Sequence, residues 1–320
     1  MRIIDREEVR ERLTYEVCIP LVRAAMIAFS KGQTRQHLRS ILPLGPNGVF
    51  AIMPGALGEG EVFGAKLISV FPGNFAKGGQ SHQGVVVLFD GESGAPVCIV
   101  HAGEITAIRT AAASAVATDA LALPMAGRLA ILGYGEQALT HARAMTRVRR
   151  ISAIAVWGRD PRRAEALAEK VAGELGVAVR PYADVEAAVA EADIVCAVTN
   201  AREPILLGRW IRPGTHLNLV GSSGAGPVEV DHDVVTRSRF IADSREGVLA
   251  QGAEFLRAKQ AGLVDDSHLV GEIGQVLAGD LEGRQSPDQI TVYKSLGHVV
   301  QDLAAAEALY AAGRVEIGRA

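Results

Sequence analysis

The stretch Leu129-Ala130-Ile131-Leu132-Gly133-Tyr134-Gly135-Glu136-Gln137-Ala138 decides how the chain is read. Four apolar residues, the length of a buried strand, run directly into Gly-x-Gly-x-x-Ala, and a helix-like segment, Gln137 to Val148, follows. Gly133 permits a tight bend out of the strand. Gly135 lets backbone N–H groups come close to a pyrophosphate, and Ala138 is small enough for helix and strand to close up. The pattern predicts a dinucleotide-binding turn. Gly-x-Gly also joins strands to helices in proteins that hold no nucleotide, so the surroundings must decide.

Those surroundings alternate strand and helix: Leu129 to Leu132, Gln137 to Val148, Ile151 to Trp157, Pro161 to Leu175, then Val177 to Arg180, Asp184 to Ala190, Ile194 to Ala197 and His216 to Val220, with a further strand at Arg237 to Asp243. This is the rhythm of a doubly wound parallel sheet with helices on both faces. Upstream the pattern differs. Glu16 to Phe29 has helical spacing, Arg39 to Pro54 and Phe63 to Phe71 read as short strands broken by Pro and Gly, and Gly84 to Phe89 with Val97 to Val100 predict an antiparallel hairpin around Asp90-Gly91-Glu92-Ser93-Gly94. An Ala-rich helix is predicted from Ile105 to Leu123, Pro124 to Arg128 is the join between domains, and Lys294 to Ala312 is predicted as a closing helix.

The chain has 320 residues, enough for two domains with their own cores, and 48% hydrophobic residues to fill them. Its 33 basic and 36 acidic residues are spread along the chain with a formal net charge of -3, which argues against nucleic-acid and membrane-surface partners. Cys18, Cys98 and Cys196 stand apart in apolar surroundings without Cys-x-x-Cys spacing, so buried reduced thiols are expected and no metal site. The charged N-terminus and the lack of a long apolar run predict a cytoplasmic protein.

In a dinucleotide fold the end of the second strand meets the adenosine ribose, where an acidic residue selects NAD(H). Here that place reads Trp157-Gly158-Arg159-Asp160. Gly158 leaves room, and Arg159 can pair with a 2'-phosphate, which favours NADP(H). Asp160 keeps NAD(H) open, while Asp before Pro161 is equally a common helix start. Thr199 and Asn200, and Gly221-Ser222-Ser223, follow strands whose ends face the crevice; they are candidate ribose or nicotinamide contacts, or simple turns.

Arg39, Lys66, His82 and Arg109 are the candidate substrate residues of the first third. Lys66 lies within Gly64-Ala65-Lys66-Leu67-Ile68-Ser69-Val70 and Arg109 within Ile105-Thr106-Ala107-Ile108-Arg109-Thr110-Ala111. A charge flanked by core residues needs a partner, and a ligand carboxylate is one. Each alone is as readily a stem that packs while its head reaches water. His82, beside Ser81, is a candidate proton donor near neutral pH, or a structural hydrogen bonder.

Ser81-His82-Gln83-Gly84, Ile105 to Ala112, Gly133 to Ala138 and Thr291-Val292-Tyr293-Lys294-Ser295-Leu296-Gly297, in that order and spacing, resemble the ornithine cyclodeaminase and mu-crystallin family along almost the whole chain. The resemblance implies a fold of class α/β: a Rossmann-type doubly wound parallel sheet domain over 125–293, plus an α+β substrate-binding and dimerisation domain over 1–124 completed by the C-terminal helix 294–320. It also implies NAD(H) or NADP(H) as cofactor and a homodimer. Carried onto this chain, its segments make Thr110, Gly133, Gly135, Glu136, Gln137, Ala138, Arg159, Asp160, Thr199, Asn200, Val220, Ser222, Lys294, Ser295 and Gly297 the cofactor contacts.

In the cyclodeaminases of this family an aspartate in a Gly-x-Asp-x-Pro-Gly-type loop handles the distal amine of ornithine, while a lysine and arginines hold the carboxylate. Lys66, Arg109 and Arg39 match the cations. The loop here is Val220-Gly221-Ser222-Ser223-Gly224-Ala225-Gly226-Pro227, with Ser223 where the aspartate stands. A hydroxyl neither holds an ammonium group nor deprotonates one, which argues against ornithine. The expected activity is NAD(P)H-dependent reduction of a small imino acid, such as iminosuccinate or pyrroline-2-carboxylate. Lys66, His82 and Arg109 are the catalytic candidates; Arg39, Lys66, Arg109 and Ser223 are the substrate contacts. A lyase with catalytic NAD, an alanine-type dehydrogenase and a nucleotide-dependent binding protein are the competing readings.

Overall fold

In chain order the elements are β1 (Arg2–Ile4), α1 (Arg6–Arg12), α2 (Tyr15–Ser30), β2 (Arg35–Gln36), β3 (Ser40–Pro43), β4 (Val49–Ala56), β5 (Phe63–Val70), β6 (His82–Phe89), β7 (Pro96–His101) and α3 (Ala102–Leu121). There follow β8 (Arg128–Leu132), α4 (Glu136–Val148), β9 (Ala153–Trp157), α5 (Pro161–Leu175), β10 (Ala178–Tyr182), α6 (Val185–Val189), β11 (Ile194–Ala197) and β12 (His216–Leu219). The last are α7 (His232–Thr236), β13 (Ser238–Ala242), α8 (Arg245–Gln251), α9 (Ala253–Gln260), β14 (Leu269–Glu272), α10 (Ile273–Ala278), β15 (Ile290–Lys294) and α11 (Val299–Ile317). This computed structural model describes residues 1–46 and 48–317. Asn47 of the predicted strand region and the end of the predicted closing segment, 318–320, lie outside the described residues.

The chain divides into two compact units, Met1–Thr110 with His298–Ala320, and Ala111–Gly297. The first cut falls inside α3 and not at 124, because the helix runs unbroken past the last residue of the first unit; the second falls at Gly297 and not at 293.

The first unit is a seven-stranded sheet in the order β1-β7-β6-β5-β4-β2, with β3 also on β4. All pairs are antiparallel except β1 with β7, and the predicted hairpin is β6 with β7. Along β5 the alternation of a pleated strand buries Gly64, Lys66 and Ile68 on one face. That face is covered by α11, which lies against α2, β4, β5 and β6. Gly64 has to be glycine: a Cβ there would stand 1.9 Å from the Val87 carbonyl oxygen and 3.3 Å from Leu303 of α11.

The second unit is an eight-stranded, wholly parallel sheet in the order β10-β9-β8-β11-β12-β15-β13-β14. Its central strands are buried along their whole length, as a sheet covered on both faces requires. The chain leaves β8 outward to β9 and β10, then returns to lay β11 on the other side of β8. The strand order reverses there, and crevices for ligands open at the carboxyl ends of strands flanking such a point.

Ile290–Lys294 corrects the sequence reading. Lys294 ends a buried strand and does not begin a helix; the helix starts at Val299. Thr291, Val292 and Tyr293 favour a strand, and the slot between β12 and β13 accepts it. Strand and helix are separated by Gly297 at φ +83°, a conformation that favours glycine. Asp243 fixes that turn, its Oδ2 accepting from the N–H groups of Leu296 at 2.6 Å and Gly297 at 2.7 Å. Among the described residues no single helix is long and apolar enough to cross a membrane.

Candidate active site

Lys66 and Arg109 meet on one oxygen in the first unit. Asp302, in the first turn of α11, accepts through Oδ1 from Lys66 Nζ at 3.0 Å and from Arg109 Nε at 3.0 Å. Arg109 Nη1 donates to Gln301 Oε1 at 2.9 Å. The three charges are 2%, 5% and 0% exposed, so they act with little screening by water. The second oxygen, Asp302 Oδ2, is buried without a hydrogen-bond partner. Asp302 and Gln301 went unnoticed in the sequence. Their signal was a polar pair inside the apolar run Val299-Val300-Gln301-Asp302-Leu303-Ala304-Ala305, on a helix whose face is known only once it covers the sheet.

Burial lowers Lys66 to about 7; Asp302 pulls it back up by charge and hydrogen bond, while Arg109 and then Arg39 push it down. For Asp302 burial acts upward, but Arg109 and Lys66 outweigh it and hold the carboxyl below its ordinary range. His82, which shares a 2.9 Å hydrogen bond through Nδ1 with Ser81 Oγ, is lowered to about 4 by burial and then by Lys66, Arg109 and Arg39. Arg39 is thus close enough to act on both groups. Two cations meet on one carboxylate with a third, Arg39, near enough to act on Lys66 and His82, and the surplus positive charge suits an anion. At pH 7 His82, lowered to about 4, is the neutral imidazole and a poor acid, whereas Lys66, lowered to about 7, is matched to donate a proton near neutral pH.

In the second unit, Gly133 follows β8 at φ +128°, and a Cβ on it would stand 2.8 Å from the Val198 carbonyl oxygen at the end of β11. Gly135 is the N-cap of α4 with no side-chain cap, and a Cβ there would meet nothing within 4 Å. The half-buried Glu136 and Gln137 and the buried Ala138 form the first turn. An uncapped helix start at a strand-order reversal, with open space at its glycine, fits a pyrophosphate. His141 steadies this helix, bonding through Nδ1 to Gln137 O at 2.7 Å and through Nε2 to Ser114 Oγ at 2.9 Å.

The other predicted contacts divide. Gly158 is explained by packing: a Cβ there would lie 2.1 Å from the Tyr134 ring. Asp160 caps α5, accepting from the Arg162 N–H at 3.1 Å, and Arg159 is exposed. Thr199 lies past β11 and gives both its N–H and its hydroxyl to Glu229 Oε1; Asn200 is exposed. Val220 is buried, and Ser222 Oγ donates to Pro227 O at 2.5 Å, bracing the loop on which Ser223 is exposed. Lys294 is fully buried, with Nζ 2.6 Å from Ser222 O and 2.8 Å from Glu254 Oε2. Ser295 keeps a buried hydroxyl without a partner, and Gly297 is held by Asp243. Thr110, the last residue of the first unit, is buried on α3.

A glycine turn at the reversal of a parallel sheet makes the second unit a Rossmann-type domain. The chain belongs to the ornithine cyclodeaminase/mu-crystallin family, whose model matches residues 2–314. Ketimine reductase mu-crystallin of Mus musculus is 34% identical over 312 residues, 96% of either chain. Delta(1)-pyrroline-2-carboxylate reductase of Thermococcus litoralis, solved with NADH and L-proline, has a TM-score of 0.95 at 33% identity, covering 99% of this chain and 98% of its own. The iminosuccinate reductase of Paracoccus denitrificans, solved with NAD+, has a TM-score of 0.91 at 27% identity, covering 99% and 97%.

The low pKa of Lys66 has a sign for stability. Between about 7 and its ordinary value of 10.5 the unfolded chain binds the proton and the folded one does not, so this group adds stability as pH rises through that window and withdraws it as pH falls toward 7. Urea unfolding of the parent and of Lys66→Met at pH 7 and pH 9 is expected to show a gain at pH 9 that the variant lacks. Equal gains in both proteins would show that Lys66 titrates in its ordinary range.

Proposed function

We propose that the chain is an NAD(P)H-dependent imino acid reductase, forming an amino acid by adding hydride to the carbon of a C=N bond alpha to a carboxylate. The observation that carries this is the buried pair of cations, Lys66 and Arg109, sharing a single oxygen of Asp302. The names of the relatives, reductases of ketimines, pyrroline-2-carboxylate and iminosuccinate, support the same chemistry.

Gly133, Gly135 and the start of α4 would hold the pyrophosphate of a reduced nicotinamide coenzyme, which would supply the hydride. Arg109 and Arg39 hold the substrate carboxylate, and fixed alignment lowers the entropic part of the barrier. Lys66 gives its proton to the imine nitrogen, because a donor near 7 is matched to neutral pH. His82 keeps a contact role, its imidazole being neutral. Ser223 in place of a carboxylate supports a substrate without a distal ammonium group. The excess of cations supports a dicarboxylate such as iminosuccinate first, and a cyclic ketimine such as pyrroline-2-carboxylate second.

With Asp160 committed to the cap of α5, exposed Arg159, Arg162 and Arg163 give the ribose end positive charge, which supports NADP(H) over NAD(H). A homodimer is supported by the apolar edge of the first unit, where Ile41, Leu42, Leu44 and Ile52 are 47%, 58%, 50% and 39% exposed. A cytoplasmic, reducing location is supported by Cys18, Cys98 and Cys196, all buried and free.

NADH and NADPH oxidation with oxaloacetate and ammonia, and with small cyclic imines, is expected to show turnover with at least one. Arg109→Ala should lose more than about a hundredfold in kcat/KM while binding coenzyme normally. Proline and ammonia formed from ornithine with catalytic NAD would overturn the reductase reading. Arg159→Ala is expected to weaken NADPH by about tenfold and leave NADH unchanged, the scale of one charge-assisted pair; equal effects on both would remove the preference. Leu42→Asp should convert a dimer to a monomer in light scattering, and a parent that is already monomeric would dispose of the homodimer.

A further inference from the structure

Beneath the ends of the central strands lies a second buried charge cluster that the reaction above does not use. Glu229, on the segment after the Gly221–Pro227 loop, is completely buried and bridges the residues just past β11 and β12. Its Oε1 accepts from the Thr199 N–H at 2.6 Å and the Thr199 hydroxyl at 2.7 Å, and its Oε2 accepts from the Gly221 N–H at 2.7 Å. The fit leaves no slack at Gly221, where a Cβ would stand 2.0 Å from Thr199 O and 2.5 Å from Glu229 Oε1. Glu254 of α9 stands behind, accepting from the Glu229 N–H at 3.4 Å through Oε1 and pairing through Oε2 with Lys294 at the end of β15. Lys294 in turn donates to Ser222 O. Three neighbouring strand ends, β11, β12 and β15, are tied by two carboxylates and one ammonium.

The ionised cluster carries one negative charge in excess, sealed from water on the protein side and directed through Thr199 and Gly221 toward the carboxyl edge of the sheet, where dinucleotides bind in this class of fold. The two redox states of a nicotinamide differ by one positive charge on the ring. We propose that Glu229 is a positioning residue that fixes the Thr199 and Gly221 loops and, by its charge, makes the second unit bind oxidised coenzyme more tightly relative to reduced coenzyme than the loops alone would. This rests on the coenzyme site read at Gly133 and deepens it, giving the Rossmann unit a sense of redox state independent of the acid-binding cations.

Burial pushes the Glu229 carboxyl up to about 7, against the Thr199 donors and Lys294 and with the help of Glu254. The Cys196 thiol beside it is pushed up to about 12 by burial and stays neutral. The charge that faces the loops is therefore set by Glu229 against the Glu254 and Lys294 pair, present above about 7 and withdrawn below it.

The test uses the full chain and direct titration with NAD(P)H and NAD(P)+, read by nicotinamide fluorescence and calorimetry without substrate. In the parent the ratio of Kd for oxidised to reduced coenzyme should rise as pH falls from 8 to 6. In Glu229→Gln the ratio should be raised at pH 8 on the order of tenfold, the scale of one partly screened charge, and be flat with pH. Glu229→Asp, which keeps the charge while loosening the loops, should weaken both forms together and keep the pH dependence. A Gln variant that loses both forms equally, with the parental pH dependence retained, would reduce Glu229 to a structural tie and overturn the proposal. Should Glu229→Gln fail to fold, the Asp variant and the parental pH series decide: a ratio flat with pH in both overturns it. A parent that binds neither coenzyme would instead overturn the coenzyme site itself.

Discussion

Asp302 Oδ1 is the atom at which the buried charges of the first unit meet. Two cations from β5 and α3 share it in a space that water does not reach, and one carboxylate cannot neutralise both. Buried ion clusters of this kind are poor stabilisers; apolar residues of similar volume often serve the fold as well or better. What the arrangement provides is positive charge held in place and left incomplete. The same desolvation that makes it costly brings Lys66 to about 7, so one physical cause underlies both the acid-group anchor and the neutral-pH proton donor of the proposed reaction.

The second unit solves a different problem with a cluster of opposite sign. Parallel strands bring their carbonyl ends to one edge, and the loops that leave it must be both open and fixed. Gly133, Gly135 and Gly221 keep side chains out of that edge. Glu229, Glu254, Lys294 and Asp243 then replace the missing side chains with hydrogen bonds to backbone N–H and carbonyl groups. Openness comes from the glycines and rigidity from the buried charges, and neither gives a binding edge alone.

The pairing of a surplus cation cluster in one unit with a surplus anion in the other matches the charges of the proposed reaction. In the proposed reaction an acid substrate uses the first, and the second is proposed to favour a coenzyme that becomes positive on giving up hydride. Surface ion pairs such as Arg128–Glu191 or Arg257–Glu203 play no part in this, because water and salt screen them.

The sequence by itself determined the class of both units, the glycine turn, and the identities of Lys66 and Arg109, because these are local signals: a strand before Gly-x-Gly, an alternation of strand and helix, a charge inside an apolar run. It misread Lys294 as the start of the closing helix, because the slot between β12 and β13 that takes it as the end of a strand is set only by the sheet. It left Asp160 between a coenzyme contact and a helix start and read Gly158 as room for a phosphate; the fold shows Asp160 capping α5 and the Tyr134 ring packed where a Cβ on Gly158 would stand. It missed Asp302, 236 residues from Lys66, and Glu229, 30 from Thr199. Only the tertiary structure decides such partners, since a buried charge is read by what faces it, and what faces it is set by chain folding over distances that no local pattern records.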